Sequence, residues 1–268
     1  MGRAIDTVLA FSTQAGAAAF PTALAATTGD TLQVRSFDRS KSAFLQSVIY
    51  SSNAAGQKAR VQSPLLHDNV TGLTWQPGEV PSQWMLPPEA AVELRTIDTL
   101  SVFGQCGAAT TITMGLVNYY EDLDGVNANL FSWSDIRGLI RYVKSVEVSL
   151  SAIAVGAWTD TLITNTENQL HADEYYAVLG YQVNPAVDII GVKGSATGNL
   201  RICGPGPVSS LDIAEYFITF SEKSKRPCIP VFNSNDRTAF FVSAANHAAL
   251  GGGAAEVFLI LAQLTRRP

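Results

Sequence analysis

From residue 31 to residue 264 the sequence is cut into short runs of β-branched, aromatic and alternating apolar residues, most of them closed by Gly, Pro or Asn. That pattern constrains the fold more than any other feature. Apolar residues on a two-residue period make strands with one buried face, and turn residues between them return the chain antiparallel. Thr31–Phe37 alternates Leu32, Val34 and Ser36 with polar partners, and Ala43–Tyr50 and Lys58–Gln62 continue in strand-compatible register. Pro64, Gly72, Pro77, Pro81 and Pro87–Pro88 then mark a long irregular stretch, because proline fixes φ and removes a ladder donor. Strand character returns in AVELRTIDTLSVFG (91–104), ATTITMGLVNYY (109–120), Val146–Ala152 and Tyr175–Val183. Further strands are expected at 187–192, 199–203, 216–221, 229–232, 238–244 and 256–264.

One helix is expected, over Ser134–Lys144. Ser132 or Ser134 can cap it, Asp135 suits its positive end, and Ile136, Leu139, Ile140 and Val143 share a face. Strand–helix alternation is absent, so the expected class is all-β and mainly antiparallel, a β-sandwich or jelly roll, single or double. The expected organisation is an N-terminal arm over 1–30, a first β unit over 31–133, a connecting helix over 134–145 and a second β unit over 146–268. One large β domain over 31–268 is the alternative, and chain length tips the reading towards two.

The surface such strands would expose is short of charge. Charged residues make up 15% of the chain and apolar ones 47%, where a soluble domain carries roughly 25% charged residues. Too little charge to solvate the exterior implies that part of it faces other protein. The longest apolar run, Val257–Ala262, is far short of the ~20 residues that span a bilayer as a helix. A net charge of −5 with scattered cations argues against a surface that coats nucleic acid, since phosphate binding needs clustered Lys and Arg. Only Lys223–Arg226 and Arg266–Arg267 gather positive charge. No secretory signal is read at the N-terminus, so Cys106, Cys203 and Cys228 are expected as reduced thiols and the Asn69–Thr71 sequon as chance.

Little in the sequence points to chemistry. His67, His171 and His247 stand in unrelated neighbourhoods, and no GxSxG elbow accompanies them. His171, Asp173 and Glu174 offer metal-ligand types, but turn and strand-entry polarity explains them better. Glu121–Asn129 is dense in oxygen side chains without the spacing of a calcium loop, and Asp124–Gly125 is a turn signal. Gly191–Gly198 lacks the Gly-Lys-Ser/Thr ending of a phosphate loop. Gly204–Pro207 reads as a rigid turn and Gly251–Gly253 as a flexible one. Trp75, Trp84, Trp133 and Trp158, with Tyr119–Tyr120, are candidates for sugar stacking, although their irregular spacing favours burial. No catalytic, cofactor or metal residue is assigned.

The strings RVQSPLLHDNVTGL (60–73), GLVNYYEDLDGV (115–126), ADEYYAVLGYQV (172–183), IIGVKGSATGNLRICGPG (189–206) and PCIPVFNSND (227–236) carry a resemblance. In texture and turn placement they resemble jelly-roll capsid proteins of tailless icosahedral phages; residues 1–30 fall outside it. The resemblance implies a single or double jelly roll, trimeric or pseudo-hexameric capsomers, no catalysis and no cofactor. The expected function is a capsid subunit that partners itself and other virion proteins, made in the host cytoplasm and located in the virion. A carbohydrate- or receptor-binding β-sandwich of a virion fibre or appendage is the alternative, and a β-rich hydrolase with dispersed carboxylates a third.

Overall fold

The computed structural model describes residues 130–154, 158–163, 170–184, 187, 189–193, 201–206, 215–224, 227–235, 240–246, 250–253 and 255–268, and before residue 130 the backbones of the strands. In the first half these are β1 (Arg3–Gln14), β2 (Ala25–Ala26), β3 (Ala43–Ser52), β4 (Lys58–Gln62), β5 (Leu73–Trp75), β6 (Ser82–Met85), β7 (Val92–Leu94), β8 (Ser101–Gln105) and β9 (Thr111–Asp122). In the second half β10 (Leu130–Phe131) leads into α1 (Trp133–Ile136), β11 (Ile140–Ser149), β12 (Thr159–Leu162), β13 (Tyr175–Asn184), β14 (Ile189–Lys193) and β15 (Arg201–Pro205). Then follow α2 (Tyr216–Ser224), β16 (Ile229–Asn233), β17 (Phe241–Ala245) and β18 (Glu256–Leu264). All the pairings among the described strands are antiparallel.

The second half is a jelly roll by its strand order. One sheet runs β11-β18-β13-β16, with β10 added beyond β16, and the other runs β12-β17-β14-β15. The first strand of the set lies beside the last, and successive strands change sheets everywhere except at the β14–β15 hairpin. This is the two-sheet, double Greek-key plan. Much of the same plan appears in the first half. There β1 pairs with β9, β9 with β3, and β3 with β6 and β7, while β4 lies between β5 and β8. These positions correspond to β11, β18, β13, β16, β14, β15 and β17; β12 has no counterpart among the described strands.

Between the second-half sheets the core forms from alternate residues. Val146 and Val148 of β11, Val257, Leu259 and Leu261 of β18, Ile190 and Val192 of β14, and Val242 and Ala244 of β17 are all buried. Fully burying one such side chain contributes about 1.5–3 kcal/mol, so a one-residue register slip, which would turn the whole row outwards, is strongly disfavoured. β13 is the central element, buried continuously from Tyr176 to Tyr181. α2 packs against β13 and sends Tyr216, Phe217 and Phe220 into the same core.

Several expectations need correction. Ser134–Lys144 is not a continuous helix: α1 is a single turn, and residues 140–149 pair with β18 from Ile140–Leu264 to Ser149–Glu256. The cap was legible, since Ser132 N–H donates to the Asp135 carboxylate at 3.0 Å. The supposed apolar face was not a helix face, for Ile136 is fully buried while Val143 is 53% exposed. Residues 216–221, expected as a strand, begin α2. Tyr216, Phe217, Phe220 and Ser221 are its buried residues, a helical spacing that outweighs the strand propensity of their side chains. Residues 1–30, expected as an arm, contain β1, which pairs with β9 along its whole length from Arg3–Asp122 to Gln14–Thr111. Its scarcity of charge suits a strand flanked on both sides, by β2 and β9. The irregular stretch from Pro64 to Pro88 carries β5 and β6 between its prolines, and 91–104 is divided into β7 and β8. Thr31–Phe37 lies outside the described residues.

Candidate functional site

The densest polar cluster in the described residues gathers where β13 begins and β16 ends. Asp173 has φ of 60°, a left-handed conformation that Asp tolerates better than most residues. Its Oδ1 accepts from Asn233 Nδ2 at 3.3 Å and from Asn235 Nδ2 at 3.1 Å, and its own N–H donates to Asn235 Oδ1. Beside it the Glu174 N–H donates to Ser234 Oγ at 3.0 Å, while the Ser234 N–H donates to the Glu174 carbonyl at 2.8 Å. Of the side chains the sequence offered as metal ligands here, the Asp173 carboxylate braces a chain reversal against a neighbouring strand end, and Glu174 joins through its main chain. Among the described residues no three His, Cys, Asp or Glu side chains are grouped to hold a metal ion.

An Asp173→Ala variant is expected to lose about 1–2 kcal/mol. It combines the loss of an acceptor shared by two amides with left-handed backbone at a residue bearing Cβ. Asp173→Gly should lose less, because glycine accepts that backbone freely. Urea midpoints of the two variants check the ranking, and equal midpoints would remove the backbone contribution.

His171 is exposed, and its backbone N–H donates to Tyr176 Oη at 3.1 Å. Burial raises the Tyr176 pKa, and the His171 N–H acts in the opposite direction. Lys144 Nζ lies 5.8 Å from the centroid of the Tyr176 ring, and burial lowers the lysine's pKa. Gln263, opposite both Tyr142 and Tyr176 in the register, is 1% exposed and its Oε1 has no protein partner. Sequence reading missed this polar group inside the sandwich. The signal was a Lys and a Gln placed on strands whose other inward residues are apolar.

The four tryptophans lie on four separate segments. Trp75 is on β5, Trp84 on β6, Trp133 opens α1 and Trp158 precedes β12. Trp133 packs against the core, and its N–H donates to Ser221 Oγ of α2 at 3.1 Å. Tyr119 and Tyr120 are on β9 opposite Asp6 and Ile5. Cys228 is buried and in no disulfide among the described residues, and Cys203 lies on β15 opposite Gly191. Gly251–Gly253 is an exposed turn, with Gly253 at φ 71°. Lys223 lies at the end of α2, while Arg266 and Arg267 are exposed past β18. His67, His247, Cys106, the Asn69–Thr71 sequon, Leu123–Asn129, Gly194–Gly198, Pro207, Lys225 and Arg226 lie outside the described residues. Among the described residues no helix is long and apolar enough to cross a membrane.

No protein-family model matches the chain, and no curated protein matches it. Solved structures similar to it include the naturally occurring empty particles (top component) of cowpea mosaic virus. That similarity has 10% identity and a TM-score of 0.22 over 97% of this chain and 88% of the other. Broad bean stain virus has 8% identity and the same TM-score and coverage. At that TM-score neither similarity carries an argument, and the jelly-roll description rests on strand order.

Proposed function

We propose that the chain is a structural subunit of a virion shell, assembling with copies of itself and with other virion proteins and performing no catalysis. The observation that carries this reading is the jelly-roll strand order of β11–β18 together with its partial repetition in β1–β9. Two such units in one chain, the first including β1 and the second beginning near β10, give a block with two similar lobes. Three copies of a two-lobed block approximate a hexagon, which tiles the flat facets of a shell and leaves its vertices to other virion proteins. Jelly rolls also serve lectins and cupins, so the fold alone does not decide. The low charge content favours a protein whose exterior is covered by neighbours. A phage virion, with synthesis in the host cytoplasm, is the setting that the sequence resemblance favours.

Light scattering of the purified full chain across a concentration series, with negative-stain images of the same samples, tests the proposal. Trimers at low concentration and sheets or closed shells at high concentration are expected. A monomer at every concentration would sink the proposal, and saturable binding of that monomer on a glycan array would put the carbohydrate-binding reading in its place.

A further inference from the structure

One end of the second-half sandwich encloses a polar atom that its neighbours leave unmatched. Gln263 continues the inward row of Val257, Leu259 and Leu261 along β18 and is 1% exposed. Its Oε1 is buried and accepts no hydrogen bond from any described residue. Nearly every buried polar group in a native protein is matched, because an enclosed acceptor without a donor carries its full desolvation cost. Dry packing at residue 263 would call for another apolar side chain, as at 257, 259 and 261.

The ladders fix what surrounds that amide. Gln263 lies opposite Tyr142 of β11 on one side and Tyr176 of β13 on the other, close enough across each ladder for side chains to meet. Tyr142 owes its place to the register shift between Ile140 and Tyr142. An unbroken ladder from Ile140–Leu264 would bring Arg141 to Gln263 instead. Irregularities of this kind re-aim a side chain, and this one delivers a hydroxyl. Neither tyrosine hydroxyl serves Oε1, however. Tyr176 Oη accepts the His171 N–H at 3.1 Å and is hydrogen-bonded to the Tyr142 side chain.

The donor that fits is water. Tyr176 is fully buried and Gln263 nearly so, which leaves no way in for a larger group. Tyr142 is 38% exposed, so its ring has the freedom to turn aside and admit one solvent molecule. Water also suits either orientation of the amide, since it donates to an oxygen and accepts from an N–H. The amide and the two hydroxyls supply the two or more polar partners that a buried water needs.

We propose that one ordered water molecule, bound at Gln263 Oε1 between Tyr142 and Tyr176, is a fixed part of this sandwich and joins β11, β18 and β13 where β11 begins. The inference does not depend on the shell reading, since a monomer and an assembled shell present the same site.

The test is a structure of the full-length wild type at a resolution that shows ordered solvent, with equilibrium urea titration of Gln263→Met beside it. A water peak is expected about 2.7–3.2 Å from the Gln263 side-chain oxygen, and it should be lost in Gln263→Met. Methionine keeps the length of the side chain and removes its amide. Where water satisfies Oε1, the folding constant of the variant falls, or rises by less than about fivefold. Where Oε1 is dry, methionine removes a penalty and the constant rises beyond about fivefold. No peak, an ion or a side chain of this chain in its place, a peak that persists in Gln263→Met, or the larger rise overturns the proposal. Should methionine prevent folding, as judged by circular dichroism, the wild-type peak decides alone. A wild type that stays monomeric removes the shell reading and leaves both readouts intact.

Discussion

A Gly204→Ala variant is expected to lose about 1–3 kcal/mol of stability, the usual penalty for overfilling a packed core, and Gly204→Val more. Gly204 is buried on β15, opposite Ile190. A methyl group there would stand 2.5 Å from Tyr181 Oη and 2.6 Å from two ring carbons of Tyr216. Neither ring is free to withdraw. Tyr216 stacks on Phe220 at 5.4 Å and meets Phe217 edge-on at 5.5 Å, and Phe217 in turn meets Tyr181 edge-on at 5.9 Å. Tyr181 comes from one sheet, Gly204 from the other, and the remaining rings from α2. The missing Cβ is therefore what lets strand, strand and helix meet at one point. Urea denaturation followed by near-ultraviolet circular dichroism reads the effect. Tyr181→Phe separates its parts: removing the hydroxyl relieves one contact, so the double variant should lose less than the sum of the single ones. Strict additivity would place the strain on Tyr216 alone.

Phe217→Ala carries a larger expected loss, about 3–5 kcal/mol, because the site is fully enclosed and cannot collapse around the void. The ring sits between Tyr181 and Tyr216, so its removal also ends two edge-to-face contacts. The outcome to watch is whether α2 stays docked. The Trp133 backbone N–H, held by Ser221 Oγ, ties α1 to α2, and its side chain packs against the core, so an undocked α2 should also alter tryptophan fluorescence. A loss below about 1 kcal/mol would mean that α2 adds little to the core, contrary to the burial of its aromatic face.

How much of this was legible in the sequence depends on the element. β4 and β18 were read at their observed bounds, and β3 and β13 nearly so, because a two-residue period and flanking turn residues acted together. α2 was not, since Tyr216–Phe220 is built of residues that favour strands when counted singly, and only its contacts with β13 show the helical face. The start of β11 was mistaken for helix because Ile136, Leu139, Ile140 and Val143 fall at helical spacing across what is really a turn, Gly138 and a bulge. The inward Lys144 was hidden for the same reason. Its face is fixed by the ladder with β18, a partner more than a hundred residues away, and no local pattern reports that pairing. The His171–Glu174 polarity was read as a strand entry, and its clasp with Asn233–Asn235 depends on another distant strand.

The strand order also dictates when the protein can fold. β18 is made more than a hundred residues after β11, yet it lies between β11 and β13 and supplies a ladder to each. Until it exists, β11 lacks its pairing partner among the described strands, and the apolar face from Tyr176 to Val183 lacks the strand that pairs along its length. The first half repeats the arrangement, with β1 waiting for β9. Such long-range closure makes for slow folding. The unfinished chain must therefore keep its most adhesive strands apart during its own synthesis, when nothing yet covers them.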